Sequence, residues 1–195
     1  MRALGKGSIA EIIRVGLVIA WAVLWMAAAV LFAMTAAFAL DSAGIVDLHG
    51  FFSPSGGIHL NMRDSDIVLP PGAPAWPVFL AAIFIGAVAI AGGLMIVWRL
   101  RKLFDSFCSG QPFAKENATH LRAIWMTMLG IEVARYLLLV FTGFLLAQFG
   151  GPLMQNAEVK LSVDLSTWAS ILILVVLAEV FREGARLKAE QELTI

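Results

Sequence analysis

Glu132 and Arg135 lie inside "LGIEVARYLLLVFTGFLLAQF" (Leu129–Phe149), a run apolar enough to cross a bilayer. A single charge at the centre of a membrane helix costs roughly 2.5–3.5 kcal/mol on insertion scales. Two opposite charges three residues apart therefore read as partners. On a helical wheel, Arg135 stands about 60° from Glu132 on one side and Tyr136 about 40° on the other. Trp125, Met128 and Thr142 share that face. Such a polar stripe must face other helices and not lipid. Counting inward from Arg122, Glu132 is about 15 Å deep and Arg135 about 20 Å deep, too deep for easy snorkelling. Three uses fit the pair. It can lock helix rotation and bundle register, form a ligand pocket or switch whose pairing changes, or belong to a proton or ion pathway. The last normally needs more intramembrane polar groups.

Other reactive groups are sparse. His49 and His59 lie in one loop with Asp47, Asp64 and Asp66, but no spacing resembles a zinc motif, so they read as solvated loop residues. His120 neighbours Arg122 with no nucleophile elbow nearby, and Glu179 sits where the last apolar run meets charged chain. Cys108 is the single cysteine, which excludes an internal disulfide and a multi-cysteine metal site. There is no phosphate-binding loop, no dinucleotide fingerprint and no paired acid and base. No catalytic residue, cofactor or metal is expected, and the chain does not read as an enzyme.

The elements that must position these groups follow from composition. The chain has 195 residues, is 60% hydrophobic and 14% charged, and has a formal net charge of zero. Soluble domains are about 45–50% apolar and about 25% charged, so this is a membrane protein. Its charge balance leaves no footprint for direct nucleic-acid binding. A span needs about 20 apolar residues. Four are expected, at 15–40, 76–98, 123–149 and 166–185, within a single domain over 1–195. The first has basic flanks and an Ala37-Phe38-Ala39 triplet, but it is longer than a secretory h-region and reads as an uncleaved anchor.

Lysine and arginine set the orientation. One side collects Arg2, Lys6, Arg14, Arg99, Arg101, Lys102, Lys115, Arg122, Arg182, Arg186 and Lys188; the other has only Arg63 and Lys160. Both termini, the connection 99–122 and the tail 186–195 are expected in the cytoplasm, and the loops 41–75 and 150–165 outside. Asn117-Ala118-Thr119 fits a glycosylation pattern but falls on the cytoplasmic side and is set aside.

The fold class expected is an all-α membrane protein of four transmembrane helices with a small extracytoplasmic β-cap from the two outer loops. In loop 41–75, weakly alternating segments flank "SPSGG", a turn signal that predicts a hairpin. In loop 150–165, "EVKLSVDL" alternates at Val159, Leu161, Val163 and Leu165, a cleaner strand signal. On the cytoplasmic side, "RLRKLFDSF" continues the second span, with an apolar face of Leu100, Leu103, Phe104 and Phe107. Glu179, Arg182, Glu183, Arg186 and Glu190 alternate in sign at helical spacing, as a solvated face or a docking surface. Small residues at Ala29, Ala33, Ala37, Ala82, Gly86, Ala89 and Gly93 allow close helix approach and admit a homo-oligomer.

Two stretches carry a resemblance. "GQPFAKENATHLRAIW" (Gly110–Trp125) matches a P-F-x-x-E-N-x-x-x-L-R pattern through Pro112, Phe113, Glu116, Asn117, Leu121 and Arg122. "LAEVFREGARLKAEQELTI" (Leu177–Ile195) matches an F-R-x-G-x-x-L…(D/E)-L-T-(V/I) ending through Phe181, Arg182, Gly184, Leu187, Glu192, Leu193, Thr194 and Ile195. Together they resemble a bacterial four-span membrane family, domain of unknown function 2975. The resemblance implies no catalytic residues. Genes of that family often neighbour one for a small Cro-type helix-turn-helix regulator, which implies a membrane protein that restrains a cytoplasmic transcription factor. The family's usual Asp-Leu-Thr ending is Glu192-Leu193-Thr194 here.

The resulting expectation is a regulatory binding protein of the bacterial cytoplasmic (inner) membrane. It sequesters such a regulator in response to an unknown signal, through Pro112, Phe113, Glu116, Asn117, Arg122, Arg182, Gly184, Arg186 and Leu187. Arg182 and Arg186 are expected within pairing range of Glu116. Both motifs also fit a purely structural role, packing the ends of spans three and four. The alternative is a small-molecule transporter or lipid-handling protein that uses the Glu132, Arg135 and Tyr136 stripe.

Overall fold

The computed structural model describes residues 9–46, 58–62, 65–69, 76–109, 114–149, 158–161 and 163–192. They form helix α1 (Ile9–Ser42), strands β1 (Ile58–Met62) and β2 (Ser65–Leu69), helices α2 (Trp76–Cys108) and α3 (Lys115–Phe149), strand β3 (Glu158–Leu161) and helix α4 (Leu165–Glu192). All four helices are long and apolar enough to cross a membrane. At 1.5 Å per residue they measure roughly 40–50 Å, against a hydrocarbon core of about 30 Å. They therefore outrun their apolar windows: α2 continues through Arg99–Cys108, and α3 begins at Lys115, ahead of its apolar run.

Helix ends follow local chemistry. Pro77 sits in the first turn of α2, where its missing N–H costs nothing. Glu116 in the first turn of α3 complements the helix dipole. Asp164 stands at the N-cap position before Leu165. Helix α1 stops at Gly44, whose φ of 69° is left-handed. The Ile45 N–H bonds the Leu40 carbonyl and the Gly44 N–H the Asp41 carbonyl, both at 3.0 Å. That is a Schellman cap, and it needs the glycine.

The three strands form one antiparallel sheet in the order β1-β2-β3. Leu60 pairs with Ile67, and Ile67 with Val159, so the central strand joins segments from the two long loops. The turn expected at Ser53–Gly57 lies outside the described residues; the hairpin that is described pairs β1 with β2. Its strands are separated by residues 63 and 64 alone, which lie outside the described residues. The alternating run at 158–165 is cut short at Leu161, because Leu165 already belongs to α4. Residues 47–57 lie outside the described residues.

The chain divides into two compact units. The first comprises Met1–Met26, Ile90–Ile131 and Leu165–Ile195. Its core is Leu103, Leu121 and Ala178, with Leu100, Phe107, Trp125, Leu174 and Phe181 packed against them. The Phe107 and Phe181 rings stack at 5.8 Å and 18°. Gly92 is buried against α3: a Cβ there would press into Ile131, only 2.8 Å from its Cγ1. Gly93 meets Leu24 of α1, at 3.0 Å from the Cβ position to Cδ2.

The second unit comprises Ala27–Ala89 and Glu132–Asp164, including the sheet. Val78, Ala81, Leu139 and Leu146 are buried in it. Phe38 and Phe79 lie 6.2 Å apart, and Gly86 faces Leu31. The buried Thr142 hydroxyl donates to the Leu138 carbonyl at 2.7 Å, so its polar group carries no desolvation debt. In both units the small residues of α2 receive leucines from α1. At these two positions a large side chain packs into the space that a small one leaves.

Candidate partner-binding surface

The first unit holds the two motif segments. On α3, Asn117 is completely buried, and its Nδ2 donates to the Ser106 hydroxyl of α2 at 3.0 Å. It ties the first turn of α3 to the last turns of α2. One turn on, Leu121 enters the core with Leu103 and Ala178. On α4, Phe181 packs from the other side and Ala185 is buried. The apolar and amide members of both motifs therefore hold α2, α3 and α4 together. Pro112 and Phe113, and residues 193–195 of the second motif, lie outside the described residues.

The charged members point outward. Glu116, Arg122, Arg182, Arg186 and Leu187 are exposed, and Gly184 is half-buried. Between the start of α3 and the middle of α4 runs a groove made of two adjoining cavities of about 480 and 360 Å³. Both share Lys115, Ala118 and Arg182. Alanines 118, 178, 185 and 189 line it with small side chains, and Trp125 and Val175 add apolar surface. Lys115, Arg122, Arg182 and Arg186 set four cations along its edges, against Glu179 and Glu183.

Arg182 pairs with Glu179 of its own helix. Arg186 pairs with Glu183 at 3.0 Å and with Glu190 at 3.2 Å. The expected pairing of either arginine with Glu116 is not found among the described residues. Carboxylates one helical turn away reach each guanidinium; Glu179 and Glu183 precede their arginines, the better order, whereas Glu190 follows Arg186. All these groups are well exposed, so the pairs are screened and weak, and they exchange readily for a competing partner. Among the described residues, no carboxylate lies within ion-pair distance of Lys115 or Arg122.

The second candidate site stands by itself in the second unit. Arg135 donates from NH2 and Nε to Glu132 Oε2 at 2.8 and 3.2 Å. Its guanidinium lies 4.7 Å from the centre of the Tyr136 ring. The side chains are only 15% and 13% exposed. All three predicted stripe residues are thus brought together, with Glu132 and Arg135 paired within one helical turn. Among the described residues no cluster of histidine, cysteine and acidic side chains could hold a metal ion.

One interaction has no local signal in the chain. Arg99 lies 3.2 Å from His120 Nδ1, linking α2 to α3. The guanidinium can only donate, so that ring nitrogen accepts. The two residues are 21 apart in sequence, and only the packing of the two helices brings them together.

The family model described as Protein of unknown function (DUF2975) matches residues 62–195, well over half of the chain. The chain belongs to this family. No curated protein and no solved structure is significantly similar to it. The match covers α2, α3 and α4, all three strands except the first residues of β1, and the whole lining of the α3–α4 groove. The family therefore includes every residue of this candidate surface.

Proposed function

We propose that this multi-pass membrane protein is a regulatory binding protein of the bacterial cytoplasmic membrane. Both termini face the cytoplasm and the three-stranded sheet faces outward. Residues 99–122 and 181–195 hold a small cytoplasmic helix-turn-helix transcription regulator and keep it from DNA. The observation that carries this reading is the α3–α4 groove, where the two motif segments meet. Its small-residue lining accepts an amphipathic helix, and its cationic edges favour one with acidic flanks. Lys115 and Arg122, with no carboxylate partner among the described residues, supply the attraction that steers such a partner in.

A signal can release the regulator only by favouring one of two states of the membrane protein. The Glu132–Arg135 pair suits the role of register lock between such states. The alternative, a transporter or lipid-handling role for that stripe, would have to open the Glu132–Arg135 pair, which is closed in this structure.

The test is co-purification of the tagged, detergent-solubilised protein from its native membranes, with mass spectrometry of what it holds. A helix-turn-helix protein at near-stoichiometric yield is expected, and it should be lost from the Lys115→Glu, Arg122→Glu variant. A well-folded protein that holds no soluble partner would overturn the reading. So would a partner retained undiminished by the charge-reversed variant.

A further inference from the structure

A separate cavity of about 370 Å³ opens in the first unit between α1 and α2. Arg14 and Leu17 line it from α1; Trp98, Arg101, Lys102, Phe104, Asp105 and Cys108 line it from α2. Three cations face one carboxylate. Helical spacing puts Asp105 within reach of both Arg101 and Lys102, yet among the described residues neither forms an ion pair with it. Here the cation precedes the acid, the weaker order on a helix. The cations turn instead to indole rings. Lys102 Nζ lies 3.9 Å from the centre of the Trp98 ring, and the Arg101 guanidinium lies 5.5 Å from that of Trp21 on α1.

A cation over an indole is held in place but keeps its full charge. The cavity is therefore a preformed positive recess in which two of the three charges are held in orientation without being neutralised. Its position along the helices identifies the anion. Arg14 immediately precedes the apolar run that starts at Val15, and Trp98 ends the apolar run that starts at Trp76. Both helices thus pass from apolar to charged at this recess, the level at which tryptophan and basic side chains meet lipid headgroups. Val15, Val18 and Ile19 of α1 are exposed beside it, an apolar wall along which acyl chains can lie.

We propose that this recess binds the phosphate of an anionic phospholipid headgroup, with Arg14, Arg101 and Lys102 as its ligands and Trp98 and Trp21 holding two of them in place. Basic pockets between membrane helices take acidic headgroups in this way. The site is distinct from the α3–α4 groove and shares no lining residue with it.

The experiment uses the full chain in nanodiscs of phosphatidylcholine alone or of phosphatidylcholine mixed with phosphatidylglycerol. Thermal unfolding is followed, and native mass spectrometry counts the lipid retained. The wild-type protein should be stabilised by phosphatidylglycerol and should carry it out of the membrane in preference to phosphatidylcholine. Retention should weaken by roughly fivefold for each charge removed in Arg14→Gln and in Arg101→Gln, Lys102→Gln. The charge-keeping Arg14→Lys should retain most of it, and Arg182→Gln, Arg186→Gln should leave it unchanged. Equal retention of the two lipids by the wild-type protein overturns the proposal without any variant. So does retention that survives loss of the three charges. Stabilisation reproduced in full by inorganic phosphate in phosphatidylcholine nanodiscs would make the ligand a free phosphate and overturn the lipid assignment.

Discussion

Arg135 and Glu132 show what a single membrane-depth charge requires. The two side chains are largely buried and form a two-point contact on one carboxylate oxygen. Arg135→Leu should therefore destabilise by about 3 kcal/mol, since removing one partner leaves the other charge buried and unpaired. The double variant Glu132→Leu, Arg135→Leu should recover most of that loss. Thermal unfolding in detergent checks both, and a single variant as stable as the wild type would make the pair dispensable. Asn117 makes a different kind of contact. Its bond to Ser106 is worth about 1 kcal/mol, so a double-mutant cycle of Asn117→Ala and Ser106→Ala should return a coupling of about that size. Zero coupling would mean that the bond to Ser106 does not help hold Asn117 in place. Its type and its position in the motif were legible in the chain, but its role was not. A buried asparagine and a docking asparagine have the same sequence pattern, and only the location of Ser106 separates them.

At the scale of elements, glycines decide two features. Gly44 closes α1 in a left-handed conformation that costs other L-residues roughly 1–2 kcal/mol. Gly44→Ala should lower stability by about 1 kcal/mol, read as a small fall in unfolding temperature. Gly92 lets α2 and α3 approach until Ile131 fills the space of the missing side chain. Gly92→Val should cost about 1–3 kcal/mol by overpacking. Gly92→Val combined with Ile131→Ala should recover part of this, and a Gly92→Val protein of unchanged stability would show that the interface gives way freely. The helices themselves are dictated by long apolar runs. Their partners are not, because an alanine-rich helix offers small-residue spacing on several faces. The contacts of Gly86 with Leu31 and of Gly93 with Leu24 select one of them.

For the whole molecule, the uneven placement of lysine and arginine predicts which way the chain runs through the bilayer. Cys108 is the single cysteine and is exposed at the end of α2. With both termini in the cytoplasm, a membrane-impermeant maleimide should label it only after the cells are opened. Labelling of intact spheroplasts would reverse the orientation and move the α3–α4 groove out of reach of any transcription regulator. This measurement requires no substitution, so it also tests the proposed function independently of how any variant folds.

Four spans, the alternation of sign along α4 and the Glu132–Arg135 pair were determined by the sequence itself. Each depends on residues within one apolar run or one helical turn, where spacing dictates geometry. The tertiary structure decided the rest. It paired β1 with β2 and joined β2 to β3, a segment of the other long loop. It set Asn117 on Ser106 and Arg99 on His120, across 11 and 21 residues. It gave Arg182 and Arg186 to acids of their own helix and gathered Arg14, Arg101 and Lys102 around one recess. The physical reason is the same in each case. Contacts between elements depend on how side-chain volumes fit when helices pack, and periodicity in one segment carries no information about the surface it will meet.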